Sequence, residues 1–254
     1  MKRIILIGFV FLAQFSFGQT SFNNFKNEDL DKSKFSDKQS VTLLSNSTFE
    51  PSTTIELKDF DDVKVFDKLS VTLVASTENK AVITGSSQSK VEVVNKNGLL
   101  KIRMPLTKIM SGDEAKVTLY FKRIQSIDAN EGSTVTCADI FKQTSITLGT
   151  QEGAKITAVL DVEKATIKAY SGGIIKIIGN AVTQSVLINS GGVLEAGDLE
   201  TSQTTVSLSA GGSADVRASS LVDAKIKAGG TIFIYGKPKE IKQETFMGGT
   251  IVQK

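Results

Sequence analysis

The chain has 254 residues, with 30 Lys and Arg against 27 Asp and Glu, a formal net charge of +3, no His, no Trp and one Cys. The lack of His excludes His general bases, Ser-His-Asp and Cys-His nucleophilic sites, and His-ligated zinc or haem. A single Cys excludes intramolecular disulfides, iron–sulfur clusters and Cys-based zinc sites, so no cofactor and no metal is expected.

The first three residues, Met1-Lys2-Arg3, form a basic start, and residues 4–17 are an almost unbroken apolar run of fourteen. Ser16 and Gly18 place small residues at the −3 and −1 positions for cleavage before Gln19. Residues 1–18 therefore read as a secretory signal peptide, too short to span a bilayer. Cleavage would remove Lys2 and Arg3, taking the charge from +3 to +1, which is no basic footprint for nucleic acid or an anionic membrane. No later apolar run approaches the ~18 residues a membrane helix needs. The expected address is the periplasm, the cell surface or the medium.

Residues 19–53 are rich in Ser, Asn, Asp and Lys and read as a polar lead-in, with one candidate strand at residues 41–44. From Thr54 the chain turns to short alternating runs. These are Thr54-Ile55-Glu56-Leu57, Val63-Lys64-Val65-Phe66, Ser70-Val71-Thr72-Leu73-Val74, Ala81-Val82-Ile83-Thr84, Val91-Glu92-Val93-Val94, Leu99-Leu100-Lys101-Ile102-Arg103 and residues 116–121. Asn97-Gly98 between two of them is a strong hairpin signal. No segment sustains a 3.6-residue period, so little helix is expected.

Beyond Ile127 the spacing becomes regular. Gly-Gly pairs fall at Gly172-Gly173, Gly191-Gly192, Gly211-Gly212, Gly229-Gly230 and Gly248-Gly249, and Glu131-Gly132 and Glu152-Gly153 continue the series upstream. Counted on the second residue of each, the steps are 21, 20, 19, 20, 18 and 19. A period near 20 over seven corners specifies a solenoid whose coils bury their core against one another. Before the glycines the inward set reads Ile167/Ala169/Ser171, Val186/Ile188/Ser190, Val206/Leu208/Ala210 and Ala224/Ile226/Ala228; after them it reads Ile175/Ile177, Leu194/Ala196, Ala214/Val216 and Ile232/Ile234. Val182, Leu199, Leu221 and Ile241 supply a third inward position on a shorter segment. The fold expected is all-β: a parallel β-helix of about 20-residue coils, preceded by short strands. At the first two corners the inward pattern lies one residue further out (Ala129 to Val135, Thr150 to Ile156), which predicts a longer corner there.

These residues carry a family resemblance. The run Ser171-Gly172-Gly173, Ser190-Gly191-Gly192, Ala210-Gly211-Gly212-Ser213, Ala228-Gly229-Gly230, then Gly236-Lys237-Pro238-Lys239 and Gly248-Gly249, resembles the head GIN domain family of auto-transporter adhesins. The upstream order of Phe60-Asp61-Asp62-Val63-Lys64-Val65, Val82-Ile83-Thr84-Gly85 and Lys116-Val117-Thr118-Leu119-Tyr120 fits as well, so the likeness covers about residues 54–254. The resemblance implies a right-handed β-helix, export from a Bacteroidetes-type bacterium, an adhesive or envelope role, and no assigned catalytic residue.

Two outward columns are candidate sites. Three residues after each second glycine stand Lys176, Glu195, Asp215 and Phe233; two further on stand Ile178, Gly197, Arg217 and Tyr235. Glu195 and Asp215 on adjacent coils, near Lys176 and Arg217, fit either a solvated charge ladder or a carboxylate pair for polysaccharide binding, glycoside cleavage or calcium. Phe233 and Tyr235, expected beside Phe246, fit either a stacking patch or a cap on the open end of the solenoid. Cys137 takes an inward-type position and reads as an inert thiol. The leading expectation is an exported, non-enzymatic module meeting surface glycans or envelope proteins, with a polysaccharide-active enzyme using Glu195, Asp215 and Arg217 as the alternative. The oligomeric state is open.

Overall fold

The computed structural model describes residues 52–105, 107 and 112–254. The expected signal peptide, the candidate strand at 41–44 and all but the last two residues of the lead-in lie outside the described residues. Seventeen strands follow in order: β1 (Ser52–Glu56), β2 (Asp62–Val65), β3 (Ser70–Ala75), β4 (Lys80–Thr84), β5 (Glu92–Lys96), β6 (Leu99–Arg103), β7 (Lys116–Phe121), β8 (Ser126–Ala129), β9 (Thr134–Thr150), β10 (Lys155–Ala169), β11 (Ile174–Asn189), β12 (Val193–Ser209), β13 (Ser213–Arg217), β14 (Leu221–Ala228), β15 (Thr231–Tyr235), β16 (Glu240–Met247) and β17 (Thr250–Gln253). They form a β-solenoid of about seven turns of about 19 residues, with 69% of the described residues in strands and no α-helix among them. No helix there is long and apolar enough to cross a membrane.

Parallel pairing between coils builds two ladders that meet at the corners. The first runs β6–β2–β8–β9–β10–β11–β12–β14–β16 and the second β7–β3–β9–β10–β11–β12–β13–β15–β17. Inward columns such as Ile167, Val186, Val206 and Ala224, or Ile175, Leu194, Ala214 and Ile232, are all at most 3% exposed. Period-2 alternation puts every second side chain into this shaft, and each coil covers the apolar edge of the next.

The short upstream strands belong to the same stack. β2 lies between β6 and β8, and β3 between β7 and β9. Their corner is Asp67-Lys68, with φ of +61° at both residues, opposite Glu131-Gly132 of the next coil. Without a glycine this corner is invisible to a glycine count. The first end is closed by antiparallel strands, β4 over β7, β1 over β4, and β5 over β6.

The register corrects the expected corner. Ala129, Thr150, Ala169 and Ile188 are in register, as are Thr134, Lys155, Ile174 and Val193, so the Glu-Gly corners are the same length as those that follow. Gly132 and Gly153 align with Gly172 and Gly191, the first glycine of each pair. All seven glycines of that position have positive φ, for instance +76° at Gly191. The residue before it, Ser171, Ser190 or Ala210, is exposed or half-buried at the surface and not inward. At Gly173 and Gly192 the second glycine serves packing instead: a Cβ on Gly192 would lie 2.2 Å from the carbonyl oxygen of Ala169 on the coil beneath, whereas Gly212, Gly230 and Gly249 combine such close contacts with φ of +103°, +100° and +113°. Ser133 and Ala154 fill that position in earlier coils.

The third inward position is also shifted in two coils. Val182 is 55% exposed while Ala181 is buried, and Val222 is buried in place of Leu221. Leu199 is inward as expected, and Ile241 is partly buried against the core.

Candidate functional site

Lys176, Glu195, Asp215 and Phe233 stand directly opposite one another on β11, β12, β13 and β15. Arg217 and Tyr235 form the next outward pair on β13 and β15. All six line one groove of about 520 Å³ on the outer face of the second ladder, together with Ile178, Gly197, Asp198 and Ser213. The groove crosses four coils, so at ~4.8 Å per strand its length along the solenoid axis is about 14 Å.

The second column departs from the expected one at a single residue. Between Lys176 and Ile178 the register of β11 on β12 slips, and Ile178 faces Asp198 instead of Gly197. Gly197 is the extra residue of a β-bulge. The bulge turns its carbonyl to Arg217, whose Nε donates to it at 2.6 Å. The guanidinium lies 5.9 Å from the centroid of the Tyr235 ring and 3.6 Å from Glu200. The ring itself rests over Gly197, where a Cβ would come within 3.3 Å of it. Beneath the groove, the Thr201 hydroxyl donates to the Arg217 carbonyl and the buried Thr204 hydroxyl donates to Gln184 Oε1 at 3.2 Å. Arg217 is thus held at both backbone and side chain, which fixes the rim.

Electrostatics divide the carboxylates. Glu195 is 3.8 Å from the Lys176 ammonium, and both side chains are more than half exposed, so this pair holds the geometry weakly. The Asp215 carboxyl is pushed above the usual aspartate range, chiefly by burial and then by the Glu195 charge, while Lys254 pulls it back. Lys254 also lies 5.0 Å from the Phe233 ring centroid. The groove floor therefore carries two neighbouring acids, two aromatic faces and cations at its margins. Among the described residues, no three His, Cys, Asp or Glu side chains gather as a metal-holding group.

Phe246 does not join this patch. It lies on β16, paired to β14 in the first ladder, and is 80% exposed. Cys137 stands opposite Leu73 and packs against the core, and burial pushes its thiol up to about 12. It borders a second groove of about 650 Å³ that no motif in the sequence marks. There β9 carries two more residues than β10 between Thr136 and Ile140, opening a notch beside β3. The Phe121 and Phe141 rings stack at 5.5 Å in its wall, and Asp139 accepts the Ala75 amide at 2.9 Å.

The fold is thus a parallel β-solenoid with a mixed aromatic and acidic groove on the outer face of one ladder. The family described as "Putative auto-transporter adhesin, head GIN domain" matches residues 59–238, and the chain belongs to it. A putative adhesin from Bacteroides fragilis has the same fold, with a TM-score of 0.75 and 18% identity over 82% of this chain and 98% of that one. A putative adhesin from Parabacteroides merdae is similar, at TM-score 0.64 and 16% identity over 80% and 95% of the two chains. A putative lipid binding protein from Parabacteroides distasonis gives 0.61 and 16% over 80% and 96%. No curated protein matches in sequence.

Proposed function

We propose that this is an exported, non-enzymatic module that holds an extended, polyhydroxylated ligand, a surface glycan, in the groove of the second ladder. The observation that carries the reading is the convergence of Lys176, Glu195, Asp215, Arg217, Phe233 and Tyr235, from four separate coils, on one groove. Phe233 and Tyr235 offer flat apolar faces, and Tyr235 adds a hydroxyl. Glu195, Asp215 and Asp198 accept hydroxyl protons, and Lys176 and Arg217 donate. A ligand running along the axis would meet a new set of side chains every ~4.8 Å.

Glu195 and Asp215 are cross-strand neighbours with Lys176 beside them and Arg217 two residues on, so acceptors and donors for hydroxyl groups adjoin one another along the groove. The adhesin descriptions of the family and of its structural relatives support the same reading, as does the sequence signature of a signal peptide. Export to the periplasm, cell surface or medium belongs to this proposal.

The test is a glycan array probed with the purified chain, followed by titration of each hit. Tyr235→Ala and Asp215→Ala should each weaken a true ligand at least tenfold without changing the circular dichroism spectrum. An array without hits, or hits that both variants retain, overturns the groove reading. Loss of polysaccharide chain length on incubation would instead establish catalysis.

A further inference from the structure

The two ends of the stack differ. At the first end antiparallel strands cover the edges of β6 and β7. At the other, no strand among the described residues pairs with the outer edges of β16 and β17. The inward positions of β16 hold Ile241, Gln243 and Thr245, set against Val222, Ala224 and Ile226, and Phe246 and Met247 beside them are 80% and 67% exposed. An edge of this kind offers unpaired N–H and C=O groups to another strand.

We propose that this edge pairs with the same edge of a second copy, β16 running antiparallel to the partner's β16 about a two-fold axis through Gln243. Backbone direction sets the first constraint. The Glu240 amide donates to the Ser220 carbonyl at 3.0 Å, so Glu240, Lys242 and Glu244 turn their backbone groups toward β14. Ile241, Gln243 and Thr245 then turn theirs to the open side, because successive residues of a strand alternate. An antiparallel pair bonds only where both opposed residues face the seam, so the axis must pass through a residue and not between two.

Charge chooses among the remaining registers. An axis through Lys242 opposes it to its own copy, and an axis through Glu244 does the same for that carboxylate; both are unfavourable. An axis through Ile241 opposes only residues 240–242 of the two strands, because β16 begins at Glu240, and one through Thr245 runs Lys242 past the strand into Gly248. The axis through Gln243 sets Lys242 across from the partner's Glu244 twice, with Ile241 across from the partner's Thr245. It also continues the existing cross-strand order, since Asp223 already faces Lys242 and Lys225 faces Glu244. The outward row through the seam then alternates in sign: Asp223, Lys242, the partner's Glu244, the partner's Lys225. Six inward side chains, three from each copy, close the open ends of both cores.

Sedimentation and light scattering of the full chain across micromolar concentrations test this. The expected mass is twice the 27.2 kDa of one chain. Gln243→Pro removes an amide aimed at the seam and none aimed at β14, so it should give a folded monomer with an unchanged circular dichroism spectrum. Lys242→Glu and Glu244→Lys each set like charges across the seam and should each be monomeric alone. Mixed in equal amounts they should re-form a dimer containing one of each. A chain that stays at monomer mass overturns the proposal, as does a Gln243→Pro variant that keeps the dimer or a mixture that fails to associate. Glycan binding by the monomeric variant is read separately, so the groove and the seam stand or fall apart.

Discussion

The paired glycines Gly191 and Gly192 have different physical duties, and substitution separates them. At Gly191 an added Cβ would meet nothing within 4 Å, but φ is +76°. Gly191→Ala should therefore cost about 1–2 kcal/mol, the left-handed penalty of an L-residue. At Gly192 the backbone is not left-handed, yet a Cβ would sit 2.2 Å from the Ala169 carbonyl oxygen, 2.6 Å from its carbon and 3.1 Å from its Cβ. Those atoms belong to a coil held by hydrogen bonds on both sides, so they cannot swing away as a flexible side chain would. Gly192→Ala should cost about 3 kcal/mol or more, the upper end of overpacking. Asn discriminates further: it tolerates the left-handed region, so Gly191→Asn should be mild and Gly192→Asn severe. Urea unfolding with an unchanged m-value reads these differences as shifts in midpoint. A Gly192→Ala variant as stable as Gly191→Ala would refute the close-contact account.

Three further outcomes follow from the groove and the core. Asp215 is raised, so the folded chain binds more protons than the unfolded one between the two pKa values, and the stability from this site falls as pH rises through that window. Asp215→Asn should thus raise the melting temperature at neutral pH, with the gain vanishing in acid below the ordinary aspartate range; a gain independent of pH would refute the assigned cause. Gly197→Ala should displace the Tyr235 ring by a few tenths of an ångström and weaken glycan binding, while costing under about 1 kcal/mol in urea unfolding, because the nearest obstacle is a side chain. Cys137, with its thiol pushed up to about 12, should resist iodoacetamide at mildly alkaline pH until the chain unfolds, which intact-mass measurement reports. Rapid native labelling would contradict its burial.

Much of the fold is legible in the spacing, and so, more than expected, are its grooves. Aligned on the first glycine of each corner, the steps from Gly132 are 21, 19, 19, 20, 18 and 19. The 21-residue coil is the one whose two extra residues open the notch at Cys137 and Asp139, and the 20-residue coil is the one whose extra residue is Gly197. A coil longer than its neighbours cannot keep every residue in register and must push one out, so surplus length marks a bulge. A count on the second glycine hides this, because it moves the corner by one residue midway along the stack.

The groove residues themselves were legible because a fixed period converts sequence offset into a spatial column. Lys176, Glu195, Asp215 and Phe233 stack for that reason alone. Phe246 shows the limit of the same reasoning, since proximity along the chain said nothing about which ladder it would occupy.

From the sequence alone come the solenoid, its period, the inward columns and the absence of His-based chemistry, because each depends on local alternation or composition. Tertiary structure decided how the upstream strands enter the stack. β2 pairs with β6 and β8, strands 37 and 64 residues further on at Asp62, and its corner at Asp67-Lys68 carries no glycine to announce it. Nonlocal pairing of that kind is chosen by which apolar edge remains uncovered, a property of the assembled coil and not of any one segment.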